Sequence, residues 1–136
     1  MRLTHVRLLT DDVEPMLRFY RDVLGLEVTL DASVYFELRA GDAIVGLFRR
    51  DLMGQMIGAE LPAPARSDAC VLTFEVADVD EAARTLRERG AELVSEPRDY
   101  EAAFLRVAHL RDPEGNLVEL NAPLGRNVAA RDVEGA

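Results

Sequence analysis

The hydrophobic positions in the N-terminal part of the chain predict one strand, one helix and three further strands. An apolar-rich run covers residues 3–9, and Asp12 has a side chain preferred at the N-cap of a helix. Hydrophobic residues then recur at helical spacing as far as Gly25, a residue type that commonly ends helices. Strand patterns follow at residues 26–30, 34–39 and 43–48. The predicted order is therefore βαβββ.

The same order of elements is predicted a second time further along the chain. Residues 71–76 have a strand pattern, and Asp78 with Glu81 forms a capping box at the start of a second helix. Gly90 is expected to end this helix. Further strand patterns cover residues 92–95, 104–110 and 117–121.

The two blocks also match each other in sequence. DVE at residues 12–14 corresponds to DVD at residues 78–80, and AIVGL at 43–47 corresponds to NLVEL at 116–120. One such block alone would leave an apolar sheet face uncovered, so the duplication predicts one domain built from two halves. We expect a single domain at residues 1–124 with half-repeats 1–48 and 69–121, a connecting loop at 49–68, and a tail at 125–136.

The connecting segment has little periodicity and is rich in glycine and proline. Loops of this length are uncommon in compact domains unless they have a function or are disordered. Its apolar residues Met53, Met56 and Ile57 are compatible with a pocket lid, a dimer contact or a flexible linker. The sequence alone leaves these alternatives open.

Composition and charge exclude some classes of partner. The 136 residues carry a net charge of −9, and no Lys/Arg cluster stands out, which argues against binding to nucleic acid or to an anionic membrane surface. The single cysteine, Cys70, cannot form an internal disulfide and is expected to be a small buried residue. No apolar stretch has the length of a signal peptide core or a membrane span, so we expect a cytoplasmic protein.

Two stretches resemble the vicinal oxygen chelate superfamily, which includes glyoxalase I, bleomycin resistance proteins, fosfomycin resistance proteins and extradiol dioxygenases. They are FYRDVLGL at residues 19–26 and DPEGNLVEL at residues 112–120, with FEVADV at 74–79 between them. The resemblance covers residues 1–124. It implies an α+β fold in which two βαβββ half-repeats form an incomplete mixed β-barrel with helices packed outside. It also implies a homodimer and a small-molecule pocket.

In metal-using members of that superfamily, four ligand positions lie on the first and last strands of the two halves. In this chain the corresponding residues are His5, Gly46, Val71 and Glu119. Glycine and valine offer no side-chain ligand, whereas catalytic divalent ions usually have three or more protein ligands. This departure argues against a mechanism of the glyoxalase I type.

His109 supplies a candidate for a missing ligand. If the turn at residues 112–115 pairs Arg111 with Leu117, then His109 lies opposite Glu119 on one face of the sheet. His5, His109 and Glu119 would then form a metal site with two histidines and one carboxylate. The alternatives are that His109 only hydrogen-bonds Glu119, or that it contacts a substrate. A one-residue change of register would turn His109 away.

Strand alternation extends the predicted pocket. It combines apolar and aromatic side chains with a few polar groups, which suits an organic ligand with a polar end. Buried Arg7 and Glu75 are expected to pair with each other, because unpaired buried charge is costly. The predicted pocket residues are His5, Arg7, Phe36, Ile44, Phe48, Thr73, Glu75, Val107, His109, Glu119 and Asn121.

We favour a metal-independent small-molecule-binding protein, similar to the bleomycin resistance branch, that sequesters an antibiotic or metabolite and needs no cofactor. The alternative is a metal-dependent lyase, isomerase or dioxygenase that uses a divalent ion held by His5, His109 and Glu119. A third hypothesis is a metal-free enzyme in which Glu119 and His109 act as an acid–base pair.

Overall fold

The computed structural model describes residues 1–64 and 68–125. The predicted tail therefore lies outside the described residues from position 126 onward. The chain divides into two compact units, residues 1–66 and 67–136, and the boundary falls in the segment predicted to connect the half-repeats. Each unit contains one four-stranded mixed sheet.

The first unit has the order βαβββ followed by an additional helix. In its sheet the strands are ordered β1-β4-β3-β2, with β1 and β4 parallel and the other neighbours antiparallel. The elements are β1 (His5–Thr10), α1 (Val13–Leu17), a π-helical turn (Arg18–Val23), β2 (Glu27–Asp31), β3 (Tyr35–Ala40), β4 (Ala43–Arg49) and α2 (Arg50–Ile57).

The first helix begins where its N-cap was predicted. The Asp12 carboxylate accepts a hydrogen bond from the Glu14 N–H, and α1 packs on β4. From Arg18 the helix widens into the π-helical turn, in which the Leu24 N–H bonds to the Phe19 carbonyl. The fully buried Met16 and Tyr20 anchor this segment in the apolar core.

The second unit repeats the order βαβββ. Its strands are ordered β5-β8-β7-β6, with β5 and β8 parallel. The Asp78 carboxylate caps α3 by accepting from the Glu81 N–H, and α3 packs on β6, β7 and β8. The elements are β5 (Val71–Glu75), α3 (Val79–Glu88), β6 (Leu93–Tyr100), a 3-10 turn (Glu101–Ala103), β7 (Leu105–Arg111) and β8 (Leu117–Pro123).

The predicted fold class is confirmed, since the chain is α+β and contains the βαβββ order twice. Both sheets are open, with β1 and β2 as the edges of one and β5 and β6 as the edges of the other. Within the described residues, no helix has the length and apolar character needed to cross a membrane.

The connecting segment contains a helix that the sequence did not predict. Residues 50–57 form α2, although the whole of 49–68 was expected to be a loop. Arg50 holds the start of α2 by donating to the Asp11 carboxylate and the Leu9 carbonyl. Gly58 ends the helix in the left-handed conformation, with φ 72°. The prediction was wrong because this anchoring is long-range, and Gly54 within the helix weakened the helical pattern.

Two further predictions are wrong. Phe36 was expected on the same face as Phe48, but β3 pairs Phe36 with Leu47 and Tyr35 with Phe48. Phe36 is therefore buried on the opposite face of the sheet, because alternation fixes a face only once the register is known. Cys70 was expected to be buried but is exposed, because it precedes β5 at a point where the first strand residue, Val71, is itself 47% exposed.

Strand β6 is longer than predicted. The pattern indicated residues 92–95, whereas the strand covers Leu93–Tyr100. The additional residues of the strand include Pro97. Proline is tolerated here because β6 is an edge strand, where a missing N–H need not cost a ladder hydrogen bond.

Candidate functional site

The pairing of β7 with β8 has the register that the turn predicted. Arg111 lies opposite Leu117 and His109 opposite Glu119. The Asp112 carboxylate fixes the turn by accepting from the Glu114 and Asn116 N–H groups, both at 2.9 Å. His109 and Glu119 therefore lie on the same face of the second sheet.

A row of four side chains is joined by hydrogen bonds across this face. The Ser95 Oγ is 2.9 Å from His109 Nδ1, and His109 Nε2 is 2.9 Å from Glu119 Oε1. Asn121 Nδ2 donates to the second carboxylate oxygen of Glu119 at 3.0 Å. The His109 and Glu119 side chains are 24% and 22% exposed, so the row is shielded but can be reached from solvent.

The partners of His109 fix the positions of its protons. A carboxylate can only accept hydrogen bonds, so the nitrogen facing Glu119 must be the one that carries hydrogen. In neutral His109 the other nitrogen, Nδ1, is then an acceptor, and the Ser95 hydroxyl donates to it. Glu119 is itself oriented by Asn121. The row therefore presents a polarised hydroxyl at one end.

Ser95 reaches His109 because β6 is irregular on both sides of it. Leu93 pairs with Leu110 and Ser95 with His109, which leaves one extra residue between them on β6. A second shift lies between Ser95 and Arg98. Such bulges redirect side chains and are common near functional sites. Regular alternation from Leu93 would have placed Ser95 on the apolar face.

Sequence reasoning therefore missed Ser95. The signal that could have found it is Pro97, since proline inside a strand indicates a bulge or an edge. Other predicted residues do lie on this face. Thr73 pairs with Glu119, and Glu75 and Val107 both pair with Asn121. Thr73 and Glu75 are exposed and Val107 is buried.

The first sheet carries a different polar cluster. His5 Nε2 is 2.9 Å from Glu37 Oε2, and the Tyr35 hydroxyl donates to the same oxygen at 2.6 Å. The Arg7 guanidinium lies 5.3 Å from the centre of the Tyr35 ring, and its Nε donates to the Tyr35 oxygen at 3.4 Å. Burial, together with the hydrogen bond to Glu37, raises the pKa of Tyr35.

The sequence predicted His5 and Arg7 in this cluster but missed Tyr35 and Glu37. Both lie on β3, whose face was assigned wrongly through Phe36. Ile44 and Phe48 do share the face of His5 and Arg7, since they pair with His5 and Leu9. The Phe48 ring packs edge-on against Tyr35, with 5.3 Å between the ring centres.

Gly46 lies beneath the Tyr35 side chain. A Cβ at position 46 would be 2.9 Å from the Tyr35 hydroxyl oxygen and 3.0 Å from the Arg7 Cγ. The space beside β4 that a ligand side chain would need is therefore filled by the phenol. The resemblance described above implies that this is one of the four ligand positions of metal-using members, and that assignment stays a prediction.

The donors within each unit do not fit a catalytic divalent ion. Each unit offers one histidine and one carboxylate that are bonded to each other, His5 with Glu37 and His109 with Glu119. Over residues 1–64 and 68–125, no three or more His, Cys, Asp or Glu side chains are placed to hold a metal ion together. Three protein ligands are the usual minimum for such an ion. The expected pairing of Arg7 with Glu75 joins two units and stays a prediction.

Comparison with known proteins identifies the family. The sequence model of the Glyoxalase/Bleomycin resistance protein/Dioxygenase superfamily matches residues 2–120. The chain belongs to this superfamily. Its members bind small molecules, often bind divalent metals and often form dimers.

Two proteins and one solved structure illustrate the range of its relatives. The chain is 35% identical over 125 residues to the uncharacterized protein YraH of Bacillus subtilis, covering 88% of this chain and 97% of that protein. It is 26% identical to the virulence protein STM3117 of Salmonella typhimurium, covering 88% and 83%. A glyoxalase/bleomycin resistance protein/dioxygenase structure from Nocardioides is 26% identical with a TM-score of 0.79, covering 93% and 85%.

Proposed function

We propose that this chain binds a small organic molecule through hydrogen bonds, without a metal ion, and sequesters it unchanged. The observation that carries the proposal is the close contact at Gly46, where the Tyr35 hydroxyl fills the space that a metal-ligating side chain would need. The histidine–carboxylate pairs support it, because each histidine nitrogen that would face an ion already contacts a carboxylate.

The second sheet indicates the chemistry of the ligand. Within residues 68–125, the Glu75 carboxylate has no hydrogen-bond or ion-pair partner, and it lies on the same face as the Glu119 carboxylate. Thr73 adds a hydroxyl beside Glu119. The two carboxylates and the net charge of −9 favour a neutral or cationic molecule with hydrogen-bond donors. An antibiotic of the bleomycin kind or a metabolite amine has this chemistry.

Isothermal titration with bleomycin and a panel of cationic and neutral antibiotics tests this function. We expect at least one compound to bind with the same affinity before and after treatment with EDTA. Glu75→Gln should weaken that binding about tenfold, equivalent to about 1.4 kcal/mol, because a charged partner is lost. Glu92→Gln, an exposed carboxylate outside the strands, is the matched control and should bind as the parent does.

Elemental analysis separates this proposal from the metal-dependent alternative. The chain is purified without tags or chelators after growth with iron, manganese, nickel and zinc. We expect well below one ion per chain. A stoichiometric metal that is lost in His109→Ala would overturn the proposal and establish His109 as a ligand.

We also propose that the chain forms a homodimer. The support is membership of a superfamily whose members often do so. The exposed apolar side chains Met56 and Ile57 at the end of α2 are compatible with a protein contact.

A further inference from the structure

The row on the second sheet has the parts of a nucleophilic triad. Ser95, His109 and Glu119 are joined in that order by hydrogen bonds of 2.9 Å. We propose that Ser95 is an activated nucleophile that accepts an acyl group from small carboxylic esters, with His109 as its base and Glu119 as a positioning residue. This activity goes beyond ligand binding and does not depend on it.

The orientation of each group fits its role. Nδ1 of neutral His109 is the unprotonated nitrogen, and it faces the Ser95 oxygen. Glu119 fixes that tautomer and stabilises the imidazolium that forms when His109 takes the proton. Asn121 in turn holds the second oxygen of Glu119. A histidine oriented in this way serves as a general base for a hydroxyl nucleophile.

The local backbone indicates that Ser95 is placed on this face rather than present by chance. Two register shifts flank it, and the first moves Ser95 from the face of Leu93 to that of His109. Ser95 is half-buried on the edge strand β6, so its hydroxyl can be reached from solvent. Bulges that redirect a side chain are common next to active sites, which supports a functional role for Ser95.

The chemical step balances with water as the second reactant. Ser95 Oγ forms a bond to the ester carbonyl carbon, and its proton passes to His109 Nδ1. The bond to the leaving oxygen breaks, and that oxygen takes the proton from Nδ1. Water then attacks the acyl-serine, gives one proton to Nδ1 and releases the carboxylic acid, while the Ser95 oxygen regains its proton.

Acetylation by p-nitrophenyl acetate tests the proposal. The chain contains no lysine side chain that would compete for the acetyl group, and Cys70→Ala removes the exposed thiol. In this Cys70→Ala chain we expect a burst of nitrophenol and one acetyl group, located on Ser95 by peptide mass spectrometry. Adding Ser95→Ala should abolish both, and adding His109→Ala should slow acetylation about 100-fold.

Two further variants complete the design. Ser33→Ala, in the turn between β2 and β3, is the matched control and should be acetylated like the parent. Glu119→Gln should lower the maximal burst rate without changing the ester concentration at half-maximal rate, which a merely structural role would not do. Thermal unfolding of each variant confirms that it is folded.

Several results would overturn the triad. They are acetylation of another residue alone, equal rates in the parent and in His109→Ala, or an unmodified Ser95 after prolonged exposure to the ester. Antibiotic binding that persists in a chain whose Ser95 stays unmodified would overturn the triad alone and leave the binding function standing.

Discussion

At the scale of single residues, the contact between Gly46 and Tyr35 decides what the first sheet can hold. The phenol covers the glycine so closely that a methyl group at position 46 would be 2.9 Å from its oxygen and 3.0 Å from a ring carbon. The ring is also held by Phe48 on one side and by the hydrogen bond to Glu37. It therefore cannot move aside without losing contacts.

Gly46→Ala is expected to destabilise the protein. Alanine usually favours a strand over glycine by about 0.5–1 kcal/mol, whereas forcing a methyl group into a filled space costs about 1–3 kcal/mol. The steric cost should win, and urea unfolding measures the net loss of stability. In a Tyr35→Ala background the same substitution should cost less, and an equal cost in both backgrounds would contradict the packing argument.

The Tyr35 hydroxyl should ionise at higher pH than an ordinary tyrosine. Burial and the hydrogen bond to Glu37 both raise its pKa. Because the folded state raises this pKa, the protonated Tyr35 hydroxyl contributes to the stability of the folded protein. That contribution is fully present below the unfolded pKa and is lost as pH rises through the folded pKa. Difference absorbance titration of the parent against Tyr35→Phe measures the ionisation. A midpoint at the ordinary value would contradict the prediction.

The sequence predicted part of this residue-scale chemistry. His109 and Glu119 were found because the turn at residues 112–115 fixes the register of the two strands that it connects. Tyr35 and Glu37 were missed because β3 has aromatic residues at two consecutive positions, Tyr35 and Phe36. Alternation alone cannot choose which of them faces the core.

At the scale of elements, α2 is held together at its C-terminal end by a close backbone contact. The Ala59 N–H bonds to the Gly54 carbonyl at 3.0 Å. A Cβ at position 54 would lie 2.7 Å from the Ala59 carbonyl oxygen. Because that oxygen belongs to the backbone, relieving the contact requires the end of the helix to shift.

Gly54→Ala should therefore loosen α2, although alanine is the better helix former by about 1 kcal/mol. Hydrogen exchange is the measurement, and we expect faster exchange at residues 54–59. Gln55→Ala, at the adjacent exposed position, raises helix propensity without a new contact and should leave exchange unchanged or slower. Slower exchange in Gly54→Ala would show that propensity outweighs the contact.

The helix and strand boundaries show where local sequence patterns are sufficient to predict the structure. The N-caps at Asp12 and Asp78 were predicted because capping depends on side chains within the same turn. Helix α2 and the second half of β6 were not predicted. The first depends on contacts of Arg50 with the distant Asp11, and the second on an edge position in the sheet.

At the scale of the whole molecule, the duplication made the topology predictable. Because the sequence repeats one order of elements, βαβββ was predicted twice and is observed twice. Individual strand ends still differ from their predicted positions by a few residues. The function was less predictable, because one fold of this kind carries many chemistries and only the site can distinguish them. The site depends on register and bulges, which composition does not encode.

Net charge makes the proposed dimer sensitive to salt. Each chain carries −9, so two chains repel each other, and salt should screen that repulsion and favour association. Size-exclusion chromatography with light scattering should give twice the 15.1 kDa chain mass, with tighter dimers at higher ionic strength. A mass of one chain at every concentration and salt level would refute dimerisation.

The extra residue in β6 before Ser95 has a consequence for how this site can be gained or lost in evolution. Ser95 meets His109 because β6 has one residue more than β7 between the Leu93–Leu110 pair and the Ser95–His109 pair, rather than because one residue type replaced another. A single inserted codon is therefore enough to move a serine from the buried face to the polar face, and losing that codon reverses it. Among homologues, the length of β6 should predict the presence of this hydroxyl better than residue identity in any one column.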